Sequence, residues 1–102
     1  MSLELIKINF QTAQAQAQKL ESIADSIKGL SSRQMASTIQ EMSACWKGES
    51  AAAYLSKAEQ VQQNISKTSE ELYKAAAAIR EQAKRVYDAE MQSITLAQTQ
   101  ST

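Results

Sequence analysis

Apolar residues recur every three or four positions along most of the chain, and this spacing predicts long amphipathic helices. In the first half the pattern reaches Ile27 and then takes three consecutive steps of four, through Ser31, Met35 and Ile39. Such an insertion into a heptad pattern, a stutter, predicts a local unwinding of the supercoil. The predicted first-helix seam consists of Leu3, Ile6, Phe10, Ala13, Ala17, Leu20, Ala24, Ile27, Ser31, Met35, Ile39, Met42 and Trp46.

The second half carries a heptad pattern in which steps of three and four alternate. Oppositely charged residues four apart, such as Glu81 and Arg85, are typical of a solvated helix face beside the seam. The predicted second-helix seam consists of Ala51, Tyr54, Ala58, Val61, Ile65, Thr68, Leu72, Ala75, Ile79, Gln82, Val86 and Ala89.

Helix ends are predicted from caps and breakers. Asn9 is a suitable N-cap, which favours a start there over a start at Leu3, and a single Gly29 predicts a slight bend rather than a break. Gly48 falls between the two seams and can adopt positive φ. We therefore predict one domain over residues 1–102, with helix 1 at about 9–44, a turn at 45–49, helix 2 at about 50–91 and a polar tail at 92–102.

The predicted fold class is all-α, an antiparallel two-helix hairpin, because a short connection places consecutive helices side by side. A single hairpin leaves apolar surface uncovered, and pairing into a four-helix bundle dimer is the simplest way to bury it. Trp46 is predicted to fill the hairpin end as a buried plug, since a large aromatic ring contributes much to a small core. Its other role would be direct recognition of a partner.

Composition narrows the chemistry. Lysine plus arginine and aspartate plus glutamate both number 11, which does not favour nucleic acid as a partner. Histidine is absent and Cys45 is the single cysteine, so no soft-ligand metal site is expected. The carboxylates are spread along solvated faces, which gives no catalytic residues, and no cofactor motif is found. We expect neither a cleavable signal peptide nor a membrane-spanning helix.

The midpoint of the chain, Trp46-Lys47-Gly48, resembles the turn of the WXG family, the ESAT-like small proteins named after Trp-Xaa-Gly. Ala51 and Tyr54 follow it in a proline-free chain of 102 residues. The resemblance spans the whole chain in layout. It implies a helical hairpin that dimerises, is made in the cytoplasm and is exported by the type VII secretion system.

Many members of that family also carry a carboxy-terminal export signal, Tyr-Xaa-Xaa-Xaa-Asp/Glu. Here Tyr87 is the candidate tyrosine, but the fourth residue after it is Met91, and acids stand at Asp88 and Glu90. Glu90 lies three residues from Tyr87 and returns to the same side of a helix, whereas Asp88 points about 100° away. Tyr87 and Glu90 are therefore the export-signal candidates that the resemblance implies.

Three functions remain open at this point. The first is a secreted, non-enzymatic dimer that binds other proteins, with the Trp46 to Gly48 turn and the helix near Tyr87 as a composite export signal. The second is a targeting partner that packs on the helical leader of a larger type VII toxin, which the displaced acid favours. The third is a structural coiled-coil module or a membrane-active factor. The partners implied are a second copy or a related hairpin, the export machinery and, in the second case, the toxin.

Overall fold

Within residues 2–100 there are three α-helices and one π-helical stretch. A computed structural model describes residues 2–100. Helix α1 spans Leu3–Gly29, a π-helical segment spans Leu30–Met35, α2 spans Ala36–Cys45, and α3 spans Glu49–Gln100. The described residues contain no strand. The prediction of an all-α fold is confirmed.

Helix α1 begins earlier in the chain, and α3 ends later, than the sequence predicts. Ser2 caps α1, because its Oγ accepts the amide of Leu5 at 3.2 Å and its carbonyl accepts the amide of Ile6 at 3.1 Å. A start at Asn9 was therefore wrong: the earlier serine satisfies the first-turn amides. At the other end α3 continues through most of the predicted tail to Gln100, since neither Gly nor Pro follows Gly48. Residues 101 and 102 lie outside the described part.

The predicted stutter coincides with the π-helical segment, Leu30–Met35. The backbone stays helical at both ends of this segment, with φ −62° and ψ −40° at Gly29 and φ −59° and ψ −43° at Ala36. Three steps of four cover one residue more than alternating steps of four and three. A π-turn holds one more residue than an α-turn, so it accommodates that extra residue within the helix. The stutter and the π-helical segment thus coincide, and the local unwinding of the supercoil stays a prediction.

The chain packs as two units, each made of a segment before the turn and a segment after it. One unit comprises residues 22–73, and the other combines residues 2–21 with residues 74–100. In each unit the two segments pack side by side. Because the chain reverses once between them, at residues 46–48, each is an antiparallel pair of helical segments, and the predicted hairpin is confirmed.

Small side chains form most of the core. Ile6 is the one large buried hydrophobic residue among those described, at 2% exposure. Alanines and serines fill the remaining buried positions, which lets the two helical backbones approach closely. The other buried residues are Ala17 and Ala76 in one unit, and Ala24, Ser31, Ala51 and Ser69 in the other.

Candidate functional site

The predicted turn motif forms the connection between α2 and α3. Trp46 leaves the helix, with φ −111° and ψ 117°, while its amide still donates to the carbonyl of Met42 at 2.8 Å. Gly48 has φ +110°, a conformation that residues with a Cβ rarely adopt. Its carbonyl accepts the amide of Ala52 at 3.0 Å, which starts α3. Trp46 and Gly48 therefore end one helix and begin the next.

Trp46 is not the buried plug that the sequence predicted. Its side chain is 39% exposed and stacks on Tyr54, with ring centroids 5.5 Å apart and an interplanar angle of 20°. Tyr54 is itself 63% exposed. The indole does not act as a plug because it stacks on the exposed Tyr54, and the buried residue at the start of α3 is Ala51. Two stacked aromatic rings are thus available at the surface of this unit.

Most large residues of the predicted first-helix seam are only partly covered. Phe10, Leu20, Ile27, Ile39 and Met42 are each half-buried. Fully buried positions on this helix belong mainly to smaller residues, as described for the core.

On α3, the predicted seam separates into two flanks. Ile65, Leu72 and Ile79 are half-buried and lie on the side that packs against the first half of the chain. Tyr54, Val61 and Val86 are exposed by 63%, 48% and 43%. Other residues complete the packed side, and each comes directly after a predicted seam residue in the sequence. They are Leu55, Gln62, Ser69, Ala76 and Ala83.

Hydrogen bonds that the sequence analysis did not identify join the two segments of the unit formed by residues 22–73. The Ser31 hydroxyl donates to the backbone carbonyl of Gln62 at 3.0 Å, and the side-chain amide of Gln62 donates back to the backbone carbonyl of Ser31 at 2.9 Å. The buried Ser69 hydroxyl donates to the carbonyl of Ala24 at 2.8 Å. A serine within an apolar seam is the one signal that could have predicted such bonds.

An arginine joins the two segments of the other unit. The Arg80 guanidinium donates to the side-chain carbonyl of Gln14 and, at 2.5 Å, to the carboxylate of Glu21. Gln14 and Glu21 are seven residues apart on α1, so one side chain spans two helical turns. This bridge was not anticipated from the sequence.

The export-signal candidates Tyr87 and Glu90 lie on one apolar cavity. Tyr87 is half-buried and its ring packs on Phe10, with centroids 4.7 Å apart. The cavity has a volume of about 320 Å³, and Ile6, Phe10, Val86, Tyr87 and Glu90 are among the residues lining it. Asp88 is exposed. A carboxylate and an aromatic ring are thus presented together beside an apolar depression.

Two other kinds of feature are absent from the part of the chain that the structure describes. Residues 2–100 contain no group of three or more acidic, cysteine or histidine side chains placed to hold a metal ion. No helix among them is both long and apolar enough to cross a membrane.

Comparison with known proteins gives one result. Searches against curated proteins and against solved structures return no match. The family described as proteins of 100 residues with WXG, WXG100, matches residues 5–91, which include the turn, most of α1 and the greater part of α3. This confirms the resemblance carried by Trp46 and Gly48: the chain belongs to the WXG100 family.

Proposed function

We propose that this protein is exported by a type VII secretion system as a dimer of helical hairpins and acts, without catalysis, by binding other proteins. Its family consists of small secreted helical proteins that pair with related hairpins. The observation that supports a dimer in this chain is the exposed flank of α3.

This flank, which we call the outer flank, follows the heptad repeat. Tyr54 and Val61 are seven residues apart, as are Val61 and Thr68, so they share one side of α3. A heptad flank with exposed apolar residues is the pattern that a partner helix covers, because apolar area left in water forfeits roughly 25 cal/mol per Å². The outer flank consists of the exposed residues Tyr54, Val61, Thr68, Ala75, Gln82 and Val86.

Sedimentation tests the dimer. The wild-type chain should sediment as a dimer at micromolar concentration and dissociate on dilution. Val61→Glu places a charge on the outer flank and should produce monomers. Gln63→Glu, at an exposed position about 200° further around the helix, is the matched control and should leave the dimer intact. A wild-type chain that remains monomeric would rule out the homodimer and leave a different hairpin as the partner.

The export signal is proposed to combine the Trp46 to Gly48 turn with Tyr87 and Glu90. What supports Glu90 is its place with Tyr87 on the same cavity. In the producing cell, Glu90→Gln should abolish export without affecting the dimer, and Asp88→Asn should have less effect. Unchanged export in both variants would remove Tyr87 and its neighbours from the mechanism.

A second candidate is a targeting partner for a larger type VII toxin. It is favoured by Met91, which occupies the position where the family signal has its acid. If the protein depends on the signal of a partner, Met91→Glu should restore the family spacing and increase export of the chain expressed alone. Equal export of wild type and Met91→Glu would favour the self-exported dimer instead.

A further inference from the structure

Two apolar depressions lie next to each other in the unit formed by residues 2–21 and 74–100. The first is the cavity of about 320 Å³ that Tyr87 and Glu90 help to line. The second has a volume of about 270 Å³, and Ile94 is among the residues that line it. Ile6 and Glu90 belong to the lining of both. The Glu90 side chain therefore borders apolar surface in each depression.

The first depression has the size and lining of a small-ligand site. Sites for small molecules have volumes of roughly 300–1,000 Å³ and are lined mainly by apolar and aromatic side chains with a few polar groups. Here the buried Ile6 and the half-buried Phe10 and Ala13 come from α1, while Ile79 and Val86 come from α3. An apolar group bound between the two helices would remove the exposed parts of these side chains from water.

Among the described residues that line the two depressions, one carries a formal charge, and this charge is negative. Glu90 is half-buried and forms no ion pair with any other residue between 2 and 100. A carboxylate beside apolar surface attracts a cation more strongly than a fully hydrated carboxylate does, because the effective dielectric constant is lower there. The same carboxylate repels an anion. The charge of the lining thus selects a positively charged ligand.

The two aromatic rings of the cavity favour an organic cation. The Phe10 and Tyr87 rings have centroids 4.7 Å apart and are inclined to each other by 42°. Aromatic rings attract organic ammonium ions that lie within about 6 Å of the ring centroid. A divalent metal ion, in contrast, requires several oxygen ligands, and residues 2–100 contain no cluster of side chains placed to supply them. An alkylammonium ion combines a charge for Glu90 with an apolar chain for the cavity.

We propose that the first depression, which we call the Glu90 cavity, binds a small organic cation with an apolar chain. The ammonium group lies against the Glu90 carboxylate, and the chain occupies the space between α1 and α3. The proposal goes beyond the proposed function and requires neither export nor a dimer. Gln82 and Val86 line the Glu90 cavity and also belong to the outer flank, so a second copy bound there would cover one of its rims.

Nuclear magnetic resonance of the full isotope-labelled chain tests the ligand class. Three probes carry the same hexyl chain and differ in charge: hexyltrimethylammonium, hexanol and heptanoate. The cation should bind about three- to tenfold more tightly than hexanol, and heptanoate should bind more weakly than hexanol. The resonances that shift should belong to amides around Ala13, Val86 and Glu90. No saturable binding of the cation at millimolar concentration, equal affinity for the cation and hexanol, or shifts centred elsewhere would overturn the proposal.

The proposed dimer is separated from this test by measuring both the wild type and Val61→Glu. Val61 lies in the unit formed by residues 22–73 and does not line the Glu90 cavity. If a dimer covers the rim, the cation should bind Val61→Glu more tightly than the wild type. If the wild-type chain is a monomer, both should bind it alike. A Val61→Glu chain that does not prefer the cation over hexanol contradicts the cavity proposal in either case.

Glu90→Gln tests the charge, because it keeps the size of the side chain. Its affinity for hexyltrimethylammonium should fall to about that for hexanol, and its affinity for hexanol should stay the same. Asp88→Asn removes an exposed carboxylate outside the lining and is the matched control. If Glu90→Gln binds the cation as tightly as the wild type, or if Asp88→Asn loses as much affinity, Glu90 is not the partner of the ammonium group and the proposal fails.

Filling the cavity tests the apolar part of the site. Ala13→Leu adds volume at a half-buried lining position and should weaken binding of the cation and of hexanol several-fold. Ala15→Leu, at an exposed position of the same helix, is the control and should bind as the wild type. Circular dichroism shows whether each variant folds, and Ala83→Leu, at another half-buried lining position, replaces Ala13→Leu if that variant does not. Unchanged binding in a folded, filled variant would show that the chain of the ligand lies elsewhere.

Discussion

Four consecutive alanines, Ala75 to Ala78, allow the packed side of α3 to be tested one residue at a time. Ala76 is fully buried, whereas Ala75 and Ala77 are exposed on either side of it. Replacing Ala76 with leucine adds three carbon atoms where two helical backbones approach closely. Such overpacking costs about 1–3 kcal/mol. For a domain of this size, each kcal/mol corresponds to roughly 4–8 °C in Tm.

The assay is urea or thermal unfolding followed by circular dichroism, at a concentration where all variants sediment alike. Ala77→Leu, on the charged side of the helix, should change the free energy of unfolding by no more than about 0.5 kcal/mol. Ala75→Leu, on the outer flank, should also be tolerated. If Ala75→Leu were as costly as Ala76→Leu, the hairpin would pack along the seam expected from the sequence, and the side assigned to α3 here would be wrong.

Three further predictions concern other parts of the fold. Gly48→Ala should cost roughly 1–2 kcal/mol in urea unfolding, because positive φ is strained for residues with a Cβ while the added methyl group meets no other atom. Ile6→Ala should cost about 2–5 kcal/mol, and Ile8→Ala, at a 55% exposed position, much less. Arg80→Lys should cost about 1 kcal/mol or less, since the ion pair with Glu21 is 38% exposed on each side, and added salt should reduce the difference from wild type.

The fold class and the turn could be predicted because their signals are local. A chain without proline and with only two glycines favours long helices, and Gly48 is the only breaker between two apolar patterns. The residue at which α1 begins was less predictable. Both Ser2 and Asn9 are suitable N-caps, and an amphipathic pattern extends between them, so sequence alone does not decide which one begins the helix.

The packed side of α3 could be predicted only in part. Positions such as Ile65 and Leu72 fit both flanks, because they lie between them. The apolar residues Tyr54 and Val61 complete the seam expected from the sequence, whereas Gln62 and Ser69 take the packed positions in the structure. Periodicity favours apolar residues and does not identify a polar side chain that is satisfied by a backbone carbonyl across the interface.

The difference between the expected and the observed packed side of α3 bears on the proposed dimer. Serine and alanine on the packed side allow close approach of the helices within each unit, and Ser69 donates its hydroxyl across the contact. The larger apolar side chains Tyr54 and Val61 then remain on the outer flank. A heptad pattern read as a single seam therefore contains two sets of residues, one packed within the chain and one that the proposed dimer would bury. Where the two sets differ, Gln62 and Ser69 pack within the hairpin because backbone carbonyls accept their hydrogen bonds, whereas Tyr54 and Val61 are what a second hairpin would bury in the proposed dimer.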